Sequence, residues 1–149
     1  MKRKSLQGDL CPIARTLDVI GDWWSLLIIR DALMGARRFS QFQKNLGVAK
    51  NILTTRLRTL VAQGILELKP ASDGSAYQDY VPTDKARGLF PVLVALRQWG
   101  EQYAFAPGDK FSALVDRKDE LPLSKIQIRA HDGRLLEQTE TKVLVPVSA

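Results

Sequence analysis

Between Lys44 and Leu66 the chain carries no Asp or Glu, and within that stretch Lys50, Asn51, Thr54, Thr55 and Arg58 recur at helical spacing. These are hydrogen-bonding side chains on one expected helix face. Asn pairs bidentately with the adenine edge, Arg with guanine, and Thr offers a hydroxyl and a methyl. An ordinary solvated helix face mixes both signs of charge for i,i+4 pairing. A polar and basic stripe without acids is therefore expected to face a polyanion, double-stranded DNA. Upstream, Arg37 and Arg38 precede Ser40, which with Gln43 has the spacing of a capping box. Both arginines, and the N–H groups of a helix opening at Ser40, are expected to reach phosphates, the alternative being a solvated loop. Downstream, Ser75, Tyr77 and Gln78, with Ser72 and Gly74 beside them, are placed to touch the neighbouring backbone or minor groove. Asp73 in the same turn repels phosphate.

Other chemistries lack their residues. Acyl transfer needs a nucleophile, a base and an orienting group. The chain has one Cys and one His, and His131 sits in a His-Asp-Gly turn far from Cys11. No metal site is expected, since zinc needs clustered His, Cys and carboxylates at set spacings. No Gly-rich phosphate loop is present. The expectation is no enzyme, no cofactor and no metal.

The elements that must carry the polar stripe follow from periodicity. Pro12 suits the first position of a helix, and Ile13, Leu17 and Ile20 then share a face. A second helix, about Trp24 to Met34, is apolar over most of its circumference and is expected to be central. The third is expected to open at Ser40 and bury Phe42 and Leu46. The fourth runs from about Lys50 to Gln63 and turns Leu53, Leu57, Leu60 and Val61 inward. Gly35, Gly47 and Gly64 each follow a helical segment, where glycine serves as a stop. Then Ile65 to Leu68 and Gln78 to Val81 read as strands around an Asp73-Gly74 hairpin turn. Helix, turn, helix and hairpin is the winged helix-turn-helix order. The fold class is mainly α with a small β-hairpin wing.

Thr83 is expected to cap the next helix, which Pro91 interrupts. From Leu89 to Trp99 apolar residues occupy nearly every side. Such a helix must be covered all round, either by a second subunit or by residues 105–149 folding back. Candidate dimer residues are Ile13, Leu17, Leu89, Val92, Leu96, Trp99 and Tyr103. Trp23, Trp24, Phe90, Trp99 and Tyr103 either line a small-molecule effector pocket at that interface or pack as ordinary core.

The 149 residues divide into a basic arm at 1–10, a domain at 11–104 and an extension at 105–149. Ile126, Ile128, Asp132-Gly133, Leu135-Leu136 and Val143 to Val145 suggest a small β-hairpin in the extension. The net charge is +6, and it is uneven: residues 1–70 hold 12 basic and 5 acidic side chains, residues 71–149 hold 10 and 11. A basic region of this kind is a polyanion binder's footprint. No apolar run is long enough for a membrane span, and the opening residues lack the apolar stretch of a secretory signal. A single cysteine makes no internal disulfide, so a reducing cytoplasm is expected.

Taken together, Cys11-Pro12, Ile20-Gly21, Trp24, Leu33, Gly35, Arg38-Phe39, Leu53, Arg56-Leu57-Arg58, Leu60, Gly64, Tyr80, Thr83 and Trp99-Gly100 resemble the HxlR-type family of bacterial transcriptional regulators. The likeness covers about residues 11–103. It implies a winged helix-turn-helix, a homodimer, and repression or activation at palindromic operators. The chain departs from the family at Ala49, where Ser is common, at Trp23, where Lys is common, and at Ser75 to Gln78, where prolines and an Arg are usual. With Ala49 unable to cap, Asn51 is the alternative cap, which would move the helix start by two residues. Several members use a cysteine at the position of Cys11 to sense oxidants or electrophiles. A thiol at a helix start near Arg15 suits that chemistry, the alternative being a small buried side chain. The remaining rival is a winged-helix protein-interaction module without DNA, whose binding would be insensitive to salt.

Overall fold

The computed structural model describes residues 4–147. Residues 1–3, the start of the expected basic arm, and residues 148–149 lie outside the described residues. The elements run α1 (Pro12–Ile20), α2 (Ser25–Leu33), α3 (Phe39–Leu46), α4 (Lys50–Ala62), β1 (Leu66–Pro70), β2 (Gln78–Pro82), α5 (Asp84–Arg87) and α6 (Phe90–Tyr103), with a 3₁₀ turn at Gln138–Glu140. The mainly α, winged helix-turn-helix architecture expected from the pattern is present. The chain divides into two compact units, residues 1–93 and 94–149. The division falls inside α6, whereas the sequence suggested a boundary after residue 104.

The core of the first unit is built from Ile20, Ile28, Ile29, Ala32, Phe42, Val48, Leu53, Leu57, Leu60, Ile65, Leu66 and Ala86, all buried. As expected, α2 is the central helix, with Ser25, Ile28, Ile29, Asp31 and Ala32 buried on it. Asp22 holds its N-terminus, accepting from the backbone N–H groups of Trp24 and Ser25 at 2.9 Å each. Burial of Asp22 opposes its ionisation, but the Ser25 hydroxyl and those two N–H groups outweigh burial and hold its pKa below the usual value. Arg56 of α4 stands 3.3 Å from the same carboxylate.

The α3–α4 turn closes through Gly47 at φ 63, where its N–H donates to Gln43 O at 2.8 Å. That left-handed conformation strains a side chain bearing a Cβ, so glycine is the fitting residue. Two caps differ from the sequence reading. The third helix opens at Phe39, and Gln41, not Ser40, supports it: the Gln41 Oε1 accepts from Arg37 N at 2.7 Å and Arg38 N at 3.0 Å. The fourth helix starts at Lys50 behind Ala49, with no side-chain cap, so Asn51 stays inside the first turn.

Strands β1 and β2 pair antiparallel from Leu66↔Pro82 to Pro70↔Gln78. The connection spans residues 71–77 and contains the expected turn, while β1 runs two residues further toward it than the sequence pattern suggested. It is closed by Ala71 N to Tyr77 O and Gly74 N to Ala71 O, both 3.1 Å. Thr83 precedes α5, but its hydroxyl does not cap that helix. It donates toward Gly64 O at 2.6 Å and Ile65 O at 3.0 Å, fastening the foot of the wing to the end of α4.

In the second unit, the side-chain amide of Gln98 accepts from Ile126 N at 2.9 Å and donates to Ser124 O at 3.0 Å. Arg97 donates to Ser112 O at 2.7 Å. The turn at Asp132-Gly133 is present, with Gly133 at φ 93. It carries an isolated bridge, Arg129↔Leu135, and a second bridge joins Val115 to Pro122. The expected hairpin is thus reduced to single bridges among the described residues. No residue of 105–147 is buried, and Val143, Leu144 and Val145 are exposed without strand pairing.

Candidate nucleic-acid interface

Helix α4 is amphipathic in the required sense. Leu53, Leu57 and Leu60 are buried against the core. Burying a leucine side chain contributes roughly 1.5–3 kcal/mol, so three of them fix the rotation of the helix about its axis. The opposite face then presents Lys50, Asn51, Thr55 and Arg58, all exposed, with Thr54 half-buried at its margin. Among the described residues no hydrogen bond or ion pair engages the side chains of Lys50, Asn51 or Arg58. The threonines behave differently. Thr54 donates its hydroxyl to Lys50 O at 2.8 Å and Thr55 to Asn51 O at 2.9 Å. Their hydroxyl protons are thereby spent on the helix, leaving oxygen lone pairs as acceptors. The donors of this face are therefore Lys50, Asn51 and Arg58.

The connection between α2 and α3 is wired inward. Arg37 donates through Nη1 to Ala32 O at 2.7 Å and Ala36 O at 2.8 Å, and its own carbonyl accepts from Tyr80 N of β2 at 2.8 Å. Arg38 is held by two carboxylates. Its Nε meets Asp79 Oδ1 at 2.8 Å and its Nη2 meets Asp73 Oδ2 at 2.8 Å. Side-chain exposure grades these groups: Asp79 9%, Arg38 24% and Asp73 59%. The Tyr77 ring lies 5.3 Å from the guanidinium carbon, in cation–π range. The hydrogen bonds that Arg38 donates to Asp79 and then to Asp73 raise its pKa further above its ordinary value. The Ser75 backbone N–H and hydroxyl, followed by Arg38, pull the Asp73 carboxyl down to about 2. Both arginines expected at phosphates thus already have partners within the fold. Ser40 is exposed in the first turn of α3.

In the wing, Ser75, Tyr77 and Gln78 are exposed. Tyr77 is shared between solvent and Arg38. Reasoning from sequence missed Asp79, whose carboxylate also accepts from Ser72 N at 3.4 Å. A usable signal was there: an acid flanked by strand residues must find a cation when buried, and Arg37 and Arg38 are the clustered candidates.

Cys11 is exposed and stands immediately before α1, so the alternative of a buried small side chain does not hold. Arg15, expected to attend the thiol, donates instead through Nε to Asp9 O. Of the dimer candidates, Ile13, Leu17, Val92, Leu96, Trp99 and Tyr103 are exposed. Leu89 differs, packing against the core of its own unit. Trp24 packs there too, while Trp23 is 87% exposed. Along α6, Val92, Leu96, Trp99 and Tyr103 follow a 4-3-4 spacing, which is one helix face. Trp99 and Tyr103 have their rings 5.3 Å apart. Among the described residues no group of His, Cys, Asp and Glu could hold a metal ion. No described helix is long and apolar enough to cross a membrane.

The HxlR-like helix-turn-helix family model matches residues 19–107. An uncharacterised HTH-type transcriptional regulator of Mycobacterium tuberculosis is 40% identical over 95 residues, covering 64% of this chain. The match spans 60% of that relative's length. Among solved structures, PA1607, a candidate transcription factor, is 52% identical with a TM-score of 0.89, covering 93% of this chain and 97% of that one. The oxidised form of the redox regulator HypR is 30% identical with a TM-score of 0.58, covering 64% of this chain and 100% of the other.

Proposed function

We propose that this chain, which belongs to the HxlR-like helix-turn-helix family, is a DNA-binding transcriptional regulator acting in the cytoplasm as a homodimer. The observation that carries the reading is the α4 face: Lys50, Asn51 and Arg58 project without internal partners from a helix whose rotation is set by three buried leucines. Such a helix enters the major groove, with Asn51 and Arg58 on base edges and Lys50 on phosphate. Homodimerisation through α1 and α6 is supported by the exposed apolar residues Ile13, Leu17, Val92, Leu96, Trp99 and Tyr103. A two-fold dimer reads a palindromic operator with half-sites one helical turn, or a multiple of it, apart. Occupying such a site gives repression.

The signal, on this reading, is an oxidant or electrophile acting on Cys11. Its exposure before α1 supports this, as does the likeness to a protein described as a redox regulator. With one cysteine per chain, oxidation joins two subunits or captures a small thiol.

The test is affinity for DNA upstream of the protein's own gene, at several salt concentrations, with and without a thiol oxidant. The expected result is binding that exceeds that to a scrambled duplex and weakens as salt rises. Loss of binding on oxidation, absent in Cys11→Ser, identifies the signal. Equal, salt-insensitive binding to both duplexes rejects the regulator reading, and an identical oxidant response in Cys11→Ser removes the cysteine.

A further inference from the structure

We infer that Asp73 at the wing tip acts as an internal stand-in for a DNA phosphate on Arg38, and that DNA binding displaces it. The inference rests on the DNA-binding reading and adds a competing group that weakens it by design.

The geometry separates two roles within one cluster. Asp79 is the inner partner of Arg38: its side chain is 9% exposed, it sits on β2, and it also holds Ser72 N. Removing an oxygen so buried from its cation leaves an unpaired charge, so this contact persists. Asp73 is the outer partner, 59% exposed, on a loop whose residues 72–77 are all exposed. It meets Nη2 of a guanidinium already anchored at Nε by the buried Asp79. A guanidinium has five N–H donors in a planar fork and suits carboxylate and phosphate oxygens alike. The carboxylate of Asp73 therefore occupies the place where a phosphate oxygen would bind.

The exchange is balanced in charge and in hydrogen bonds. A phosphate replaces one carboxylate at Nη2, Asp79 stays on Nε, and Asp73 passes to water while keeping Ser75 N, which it accepts at 2.9 Å. Because Asp73 remains ionised until the pH falls toward about 2, only competition, and not protonation in the ordinary pH range, opens the site. Arg38 thus has a double employment, positioning the wing through Asp79 and offering its outer N–H groups to DNA.

The experiment is a double-mutant cycle read through salt. Asp73→Asn is placed in the wild-type chain and in an Arg38→Gln/Asp79→Asn background, which replaces the inner ion pair by a neutral hydrogen-bonding pair. Each protein's folding is checked by urea unfolding. Affinity is measured against salt for the upstream duplex and for a scrambled duplex, since a phosphate contact is indifferent to sequence. The expected result in the wild-type chain is binding several-fold tighter on both duplexes, with the slope of log K against log salt steeper by about 0.9. In the neutral background Asp73→Asn is expected to change neither. An equal gain in both backgrounds overturns the inference, because simple repulsion by Asp73 would then explain it. So does an unchanged slope, which would leave Asp73 as a wing fastener alone. A wild-type chain with no salt-dependent binding overturns the DNA reading itself.

Discussion

Arg58 and Arg38 carry the same guanidinium, yet the two regions that present them use it in opposite ways. On α4, Arg58 is exposed with no hydrogen bond or ion pair to its head group among the described residues, and no acid lies on its helix. Between α2 and α3, Arg38 is clamped by Asp79 and Asp73 at 2.8 Å each and faced by Tyr77. The first region keeps its donors unsatisfied at the surface, where water is a weak competitor and a base edge or phosphate can take over. The second spends its donors on shape, tying the wing to the turn before α3. Basic residues of equal formal charge are thus of unequal value to a ligand: those without internal partners bind at little cost, and those with partners must first lose one.

The largest effect should come from the clamped region. Arg38→Ala leaves the Asp79 carboxylate buried without its cation, and should lower stability markedly, read as a lower midpoint of urea unfolding. Arg38→Lys should recover only part, because a point ammonium does not fork between two carboxylates. A loss near zero for Arg38→Ala would erase the contrast. For the open region the loss falls on binding instead of stability. Arg58→Ala should leave stability within about 0.5 kcal/mol, yet weaken operator binding by ~1–3 kcal/mol, measured by fluorescence anisotropy. Smaller still, Lys50→Ala should weaken binding to specific and scrambled duplexes alike and reduce the salt slope by about 0.9. A sequence-dependent loss would move Lys50 from phosphate to base reading.

The smallest effect concerns acid. Asp73 has its carboxyl pulled below the usual value, down to about 2. A depressed carboxyl stabilises the fold above its unfolded-state pKa and ceases to as pH falls through the folded value. The stability that the Arg38–Asp73 pair contributes should therefore be full from neutrality to about pH 4, the ordinary carboxylate range, and fall away between there and about pH 2. The Ser75 amide resonance should shift only as the pH approaches 2. A midpoint near an ordinary carboxylate value would show that the pair is not formed in solution.

Much of the frame was legible from local pattern. Pro12 opens α1, Gly47 ends α3, Lys50 opens α4, and the leucines of α4 face inward. Each depends on neighbours within one or two turns. The choice of cap was less legible, because two overlapping spacings compete: Ser40 with Gln43, and Arg38 with Gln41. Gln41 prevails because its amide reaches both Arg37 N and Arg38 N. Thr83 misled for a similar reason. A threonine before a helix normally caps it, but Gly64 O and Ile65 O stand close enough to take the hydroxyl first. Leu89 was read as an outward residue because a helix apolar all round does not reveal which side its own domain covers.

What the sequence by itself determined is the order of the elements, the inward faces of the helices, and an acid-free α4 surface. Periodicity, glycine stops and the absence of Asp and Glu are properties of consecutive residues, so no folding is needed to see them. What only the tertiary structure decided is which charges remain open. Arg38 and Asp79 are 41 residues apart along the chain, and their meeting depends on how β2 is laid against the α2–α3 connection. Charge pairing is a matter of a few ångströms in space, and at that separation the chain alone does not specify the distance.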